Sequence, residues 1–235
     1  MSLAIDHPAS EKEGAANLII SSKHLGEVAY ERLLDMLLSG EVTGGTILQE
    51  RRLAEILAIS RTPVREALSR LETEGLISRH GGRLMTVFKV SPQEFIEVFN
   101  IRKLLEVEAA GLAAEEKIDK AVVTNIRARL LELLDVREPT SAEHWAVDDL
   151  VHGAIAEAAK NTLLATMIRD LRRRTHIFNT RRIPQRLRPG TLEHLAMIDA
   201  VAVGDKERAQ SLMADHLEKA KQAVVQQLVS GKTSG

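Results

Sequence analysis

The stretch from Ser60 to Arg83, SRTPVREALSRLETEGLISRHGGR, limits what this chain can fold into more than any other segment. It opens with helix-start chemistry: Thr62 suits a cap and Pro63 the first helical position, where a missing N–H costs nothing. Val64, Ala67, Leu68 and Leu71 then follow the i, i+3, i+4, i+7 spacing of a helix with one buried face. Arg61, Arg65 and Ser69 fall four apart on another face, which stays polar. Gly75 stops the helix, Leu76 to Arg79 reads as a short strand, His80 to Arg83 as a turn, and Leu84 to Val90 as the returning strand. A short basic-faced helix followed by a two-stranded, Arg-tipped hairpin is the layout of a winged helix-turn-helix, which offers helix and wing to a DNA duplex.

Upstream, Leu25, Val28, Ala29, Leu33, Met36 and Leu37 recur at helical spacing between Lys23 and Leu38, and Ser39-Gly40 ends that helix. A second short helix starts at Leu48 and runs through Leu57. Residues 1–20 are polar, mixed in charge and without period, which predicts a disordered tail. The net charge of -1 gives no global attraction to nucleic acid, so a DNA-binding surface has to be a local patch. Between Glu50 and Val90 arginines gather at the helix start and the wing, while the acids sit mostly mid-helix. Phosphates would meet the former.

The segment from Glu50 to Arg83 resembles the DNA-binding domain of the GntR family of bacterial transcription regulators, whose members share Arg-Thr-Pro-Val-Arg-Glu-Ala-Leu, Arg-Leu, Glu-Gly-Leu and a glycine-containing wing. The resemblance implies operator contacts from Arg51, Ser60, Arg61, Thr62 and Arg65, with His80 and Gly81 at a wing tip that enters the minor groove. An arginine at the start of a recognition helix can read guanine O6 and N7, and hydroxyls there can hold phosphate. The wing reads His80-Gly81-Gly82-Arg83 where many relatives have a tighter Gly-x-Gly pattern.

Beyond the wing the signal is helical throughout. Ser91 and Glu94 form a capping box, and amphipathic helices are predicted over 92–116, 119–136, 141–159, 163–179, 185–203 and 206–228. Glu138-Pro139-Thr140 and Arg188-Pro189-Gly190 read as breaks or helix starts. The fold class is therefore mainly α. A winged helix-turn-helix domain over residues 21–90 precedes an antiparallel all-helical bundle of about six helices over residues 91–235.

His152, His194 and His216 each lie in the apolar register of a different helix, and Asp148 precedes His152 by four residues on one helix face. Three imidazoles and a carboxylate suit a divalent ion such as Zn, Ni or Mn; by spacing alone a histidine on an apolar face is more often a satisfied core residue. Asp149, three before His152, is a rival carboxylate. The run Asp148 to His152, then Asn161, Glu193-His194, Gly204-Asp205 and His216-Leu217, resembles the ligand-binding domain of the FadR branch of GntR regulators, the FCD type. That resemblance implies a metal on Asp148, His152, His194 and His216, and a small carboxylate effector held in part by Arg102. Val151 stands where relatives usually have Phe. Asn161 is predicted to cap the helix that follows it. Arg172-Arg173-Arg174 and Arg181-Arg182 read as a solvated face or a rim lining the pocket or subunit contact, and Trp145 and Phe178 as core aromatics near the bundle ends.

Zero Cys removes disulfides and thiolate chemistry, and no apolar run reaches the roughly 20 residues of a membrane span, so a cytoplasmic protein is expected. The expected function is a ligand-responsive, sequence-specific transcriptional regulator, a repressor, that binds a palindromic operator as a homodimer. The alternatives are a metal-dependent hydrolase or lyase fused to a DNA-binding module, with Glu193 as its base, and an architectural DNA binder whose bundle only dimerises.

Overall fold

A computed structural model describes residues 9–81, 84–89, 91–137, 139–178 and 183–229. Gly82 and Arg83 of the wing and the pair Arg181-Arg182 lie outside the described residues. The chain divides into two compact units, Met1–Phe88 and Lys89–Gly235.

The first unit contains α1 (Ala9–Leu38), β1 (Ile47–Leu48), α2 (Glu50–Leu57), α3 (Arg61–Thr73), β2 (Ile77–His80) and β3 (Leu84–Val87). Helix α1 starts at Ala9, within the stretch predicted as a tail; Ala, Glu and Lys between Ala9 and Ala16 are good helix formers. Its buried stripe is Ala29, Tyr30, Leu33, Leu34 and Leu37. Leu25 and Val28, predicted to face inward, are exposed, so the stripe is rotated toward Tyr30 and Leu34. This face packs on α3, where Val64, Ala67, Leu68 and Leu71 are all buried as their spacing predicts.

Helix α3 begins two residues earlier than expected. Ser60 is the N-cap, without a side-chain cap bond, and Pro63 occupies the third helical position. Its absent N–H is still among the first four, which have no intrahelical acceptor. The hairpin is also part of a three-stranded sheet, ordered β1-β3-β2 and antiparallel throughout. Ile47 pairs with Thr86 and Leu48 with Met85, which moves Leu48 out of the predicted second helix. Two residues are too few to carry a period-2 signal, so β1 is set by its partner β3.

Among its described residues the second unit has six helices: α4 (Pro92–Glu116), α5 (Lys120–Asp135), α6 (Ser141–Ala158), α7 (Thr162–Phe178), α8 (Pro184–Val203) and α9 (Lys206–Val229). Local chemistry fixes most of the ends. Ser91 and Glu94 form the expected capping box, as do Thr140 and Glu143 before α6. Asp119 accepts from the Ala121 N–H, and Asn161 from the Leu164 N–H at 3.1 Å. Pro189 does not break the chain: α8 runs through it, forgoing the bond its N–H would have made one turn back.

Helix α4 packs on α6, α7, α8 and α9, so a side chain buried on it is shared by four neighbours. Phe95, Phe99, Arg102 and Glu106 form its buried stripe, at i, i+4, i+7 and i+11. Farther along, the Ala109 to Ala114 run lets α9 approach closely; a Cβ on Gly111 would meet the Gln210 side chain at 2.6 Å.

Candidate metal centre and nucleic-acid interface

Asp148 and His152 from α6, His194 from α8 and His216 from α9 converge in the bundle interior, all four buried. Their candidate donor atoms lie within 4.8 Å of one another. His194 Nε2 stands 3.2 Å from His152 Nε2, 3.2 Å from His216 Nε2 and 3.6 Å from Asp148 Oδ1. Bonds of about 2.1 Å to one ion place adjacent ligand atoms roughly 3.0–3.4 Å apart, so this spacing fits a shared cation.

The outer ring nitrogens support the same reading. His152 Nδ1 is hydrogen-bonded to Glu106 Oε2, and His216 Nδ1 lies 2.9 Å from Glu193 Oε2. A carboxylate only accepts, so a neutral ring held this way keeps its proton on Nδ1 and aims the Nε2 lone pair inward. His194 Nε2 could give one proton to one neighbour, yet it faces two. The lone pairs of His152 and His216 both face it, and one N–H can point along only one of them; a cation shared by the three rings meets both.

Arginines balance the acids. Arg172 Nη2 donates to Asp148 Oδ2 at 2.7 Å and to Asp149 Oδ1 at 2.5 Å. Burial penalises its cation, but Asp148, Asp149 and Glu106 more than offset that and hold its pKa above the usual value. Arg102 donates from Nε to Glu106 Oε1 at 2.7 Å and from Nη1 to Thr175 Oγ1 at 3.0 Å. Burial alone would push Glu106 up; Arg102, His152 and Arg172 together pull it well below the ordinary carboxylate range. Burial and the Arg172 cation push His152 down to about 4, so it is neutral at neutral pH, the form a metal requires.

The rival Asp149 is half exposed and engages Arg172, whereas Asp148 Oδ1 faces the histidines. Arg102 is paired with Glu106, and it is also buried and lines a cavity. That cavity is open to solvent at its mouth and also touches Asp148, His194 and His216. Trp145 belongs to its wall, with its ring stacked on His176 at 3.5 Å between centroids. Three participants play parts the sequence did not assign them: Arg172, expected in a solvated face or rim, anchors Asp148; Glu106 orients His152; and Glu193, the base of the enzyme alternative, orients His216. Arg172 sits one turn after buried Ile168 and three residues before buried Thr175, a register that marks it as inward-facing.

In the first unit, Arg51, Ser60, Arg61, Thr62 and Arg65 are all exposed on α2 and α3. Glu50, the first residue of α2, binds Arg65 through two nitrogens at 2.9 and 3.2 Å and Arg61 at 3.4 Å. The Arg65 hydrogen bond holds the Glu50 carboxyl below its ordinary range. The acids are therefore not confined to mid-helix positions. Arg70 is also committed elsewhere: it pairs with Glu27 and Glu74 and lies 3.6 Å over the Tyr30 ring. His80 ends β2 with its ring 3.0 Å from Ser78 Oγ, and Gly81 follows with φ 58°, a left-handed turn residue.

Residues 25–87 match the bacterial regulatory proteins of the gntR family, and residues 97–219 match the FCD domain. The uncharacterized HTH-type transcriptional regulator YcbG of Bacillus subtilis is 32% identical over 213 residues, covering 85% of this chain and 89% of its own. The HTH-type transcriptional regulator LutR of the same organism is 29% identical over 208 residues, covering 77% and 93%. Among solved structures, E. coli McbR/YncC superposes with a TM-score of 0.76 at 27% identity, over 87% of this chain and 98% of that one. The chain belongs to the GntR family and carries an FCD domain, which makes it a transcriptional regulator of the GntR/FCD type. Such regulators bind operator DNA, and FCD domains bind small effectors. The families and relatives are regulators, not enzymes, and the hydrolase or lyase alternative falls with them. Glu193, its candidate base, is taken up by His216, Arg186 and Lys219. Among the described residues no helix is long and apolar enough to cross a membrane.

Proposed function

We propose that this chain is a cytoplasmic, homodimeric repressor whose grip on its operator is set by a small organic acid bound beside a divalent metal. Asp148, His152, His194 and His216 hold the ion, of the Zn, Ni or Mn class, and Arg102 meets the acid. Bound there, the ion would offer a Lewis-acidic position to an anionic oxygen. The protein's own part is to aim three imidazoles through Glu106 and Glu193, to fix Asp148 through Arg172, and to line the adjoining cavity. Arg51, Ser60, Arg61, Thr62 and Arg65 would contact the operator, with His80 and Gly81 in the minor groove.

The observation that carries this reading is the convergence of three buried Nε2 atoms and one carboxylate oxygen at the wall of a cavity in the bundle. An effector can alter operator affinity only if it binds the DNA-competent and incompetent states unequally. The test is operator binding measured with metal-loaded and chelator-stripped protein while carboxylic acids are titrated. Acid-dependent operator affinity that vanishes on stripping is the expected result. Affinity indifferent to both metal and acid would leave an architectural DNA binder instead.

A further inference from the structure

The cavity has a direction. On α4, α6 and α8 its lining residues all lie at or N-terminal to the residues that build the metal site, and on α9 they lie at or beyond His216. Because α9 runs opposite to α4, all four helices place the cavity on one side of the Asp148–histidine cluster. At 1.5 Å per residue, Phe99 and Phe95 stand about 10 and 16 Å along α4 from Glu106, and Val224 about 12 Å along α9 from His216. Leu187 is about 10 Å along α8 from His194. The cavity therefore leaves the metal site and runs along the bundle axis.

Its two ends differ in chemistry. Near the cluster stand Arg102, Thr175 and Asp148, with the Phe99 ring 4.7 Å under the Arg102 guanidinium and Trp145 stacked on His176 beside Thr175; beyond them the walls are Phe95, Leu133, Leu187 and Val224. Phe95 packs on Phe99 at 4.7 Å between centroids and gives that end an aromatic floor. The polar groups on this side are His144, Thr191 and Arg186. Thr191 Oγ1 donates to Leu187 O, and Arg186 is forked to Glu193 at 3.0 and 2.5 Å. Arg186 spends both terminal nitrogens on Glu193, whereas Arg102 engages Glu106 and Thr175 through Nε and Nη1.

We infer that the effector is a monocarboxylate with an apolar tail of about six to eight carbons, its head at the metal and Arg102 and its tail against the Phe95–Val224 end, a span of roughly 10 Å. This rests on the metal-anchored carboxylate proposed above. It excludes two-carbon and three-carbon hydroxy acids, which would leave the apolar end wet, and dicarboxylates, which would bury a second charge there.

The experiment is calorimetric titration of the full chain, its zinc content first verified, with acetate, butanoate, hexanoate, octanoate, 3-phenylpropanoate and succinate. Affinity should rise about three- to fourfold with each methylene added from acetate to octanoate, as expected for burial of a CH2 group. Ala220→Phe, which narrows the far end, should cut the octanoate-to-acetate affinity ratio at least tenfold. A flat series, or succinate binding tighter than octanoate, overturns the apolar tail while leaving the carboxylate at the metal intact. If no acid binds verified zinc-loaded protein, the anchoring itself is wrong and the tail with it. The homologous series needs no variant, so a misfolded Ala220→Phe leaves the test decisive.

Discussion

His194 Nε2 lies 3.2 Å from His152 Nε2 across the bundle interior, and the outer nitrogen of the His152 ring is tied to Glu106. With His216 Nε2 also 3.2 Å from His194 Nε2, three nitrogens from three helices share one point. Such an arrangement is costly in an apolar core unless something at that point accepts their lone pairs.

Arg172 is expected to be the structural keystone of the acidic side. Its guanidinium is buried against Asp148 and Asp149, with Glu106 Oε2 at 4.0 Å. Arg172→Ala strands buried carboxylates and should cost about 3–5 kcal/mol in urea unfolding. A loss under about 1 kcal/mol, the range of exposed pairs, would show that the network does not depend on it.

Acid should weaken the metal-free protein in a defined window. His152 titrates at about 4 in the fold against about 6.5 in an unfolded chain, so the unfolded state takes up the proton first as pH drops. Stability is then lost from about pH 6.5 down to about 4. Glu193, raised by burial but lowered further by His216 and Arg186 to about 2, adds a loss below the ordinary carboxylate pKa. Urea unfolding from pH 7.5 to 4.5 with chelator present checks the sign; stability unchanged or rising toward pH 5 would contradict it.

At the DNA-binding face, Glu50 and Arg65 make opposite predictions. Arg65→Ala should abolish operator discrimination, a loss of about 1–3 kcal/mol of specificity, with the fold intact because Arg65 is exposed. Glu50→Gln frees Arg65 and Arg61 from a carboxylate, so binding to non-operator DNA should tighten and its salt dependence steepen by about one ion. Mobility-shift titrations at several salt concentrations read both. Retained discrimination in Arg65→Ala, or weaker non-operator binding in Glu50→Gln, would count against the assignment.

Local chemistry made much of this legible in the sequence. The α3 stripe and the caps at Ser91 and Asn161 depend on residues within a turn or two of each other, and all are as their spacing predicts. The four residues of the metal cluster could be named because each carries its own chemistry. Their carboxylate and guanidinium supports were harder to see. Arg172 hides in a run of three arginines, and only its register with Leu164, Ile168 and Thr175 separates it from the other two. Glu106 looks like a helix-surface partner for Arg102 until α4 is known to be surrounded by four helices. The Glu50–Arg65 pair and the β1–β3 pairing join residues distant in sequence, so neither leaves a periodic trace.

Metal content of the purified full chain, set beside that of His194→Ala and Asp149→Asn, bears most directly on the site. One equivalent of a divalent ion should be found in the parent and in Asp149→Asn, and a small fraction of that in His194→Ala. Full occupancy in His194→Ala, or no bound metal in the parent after incubation with zinc and desalting, would show that the three histidines and Asp148 are not a metal centre.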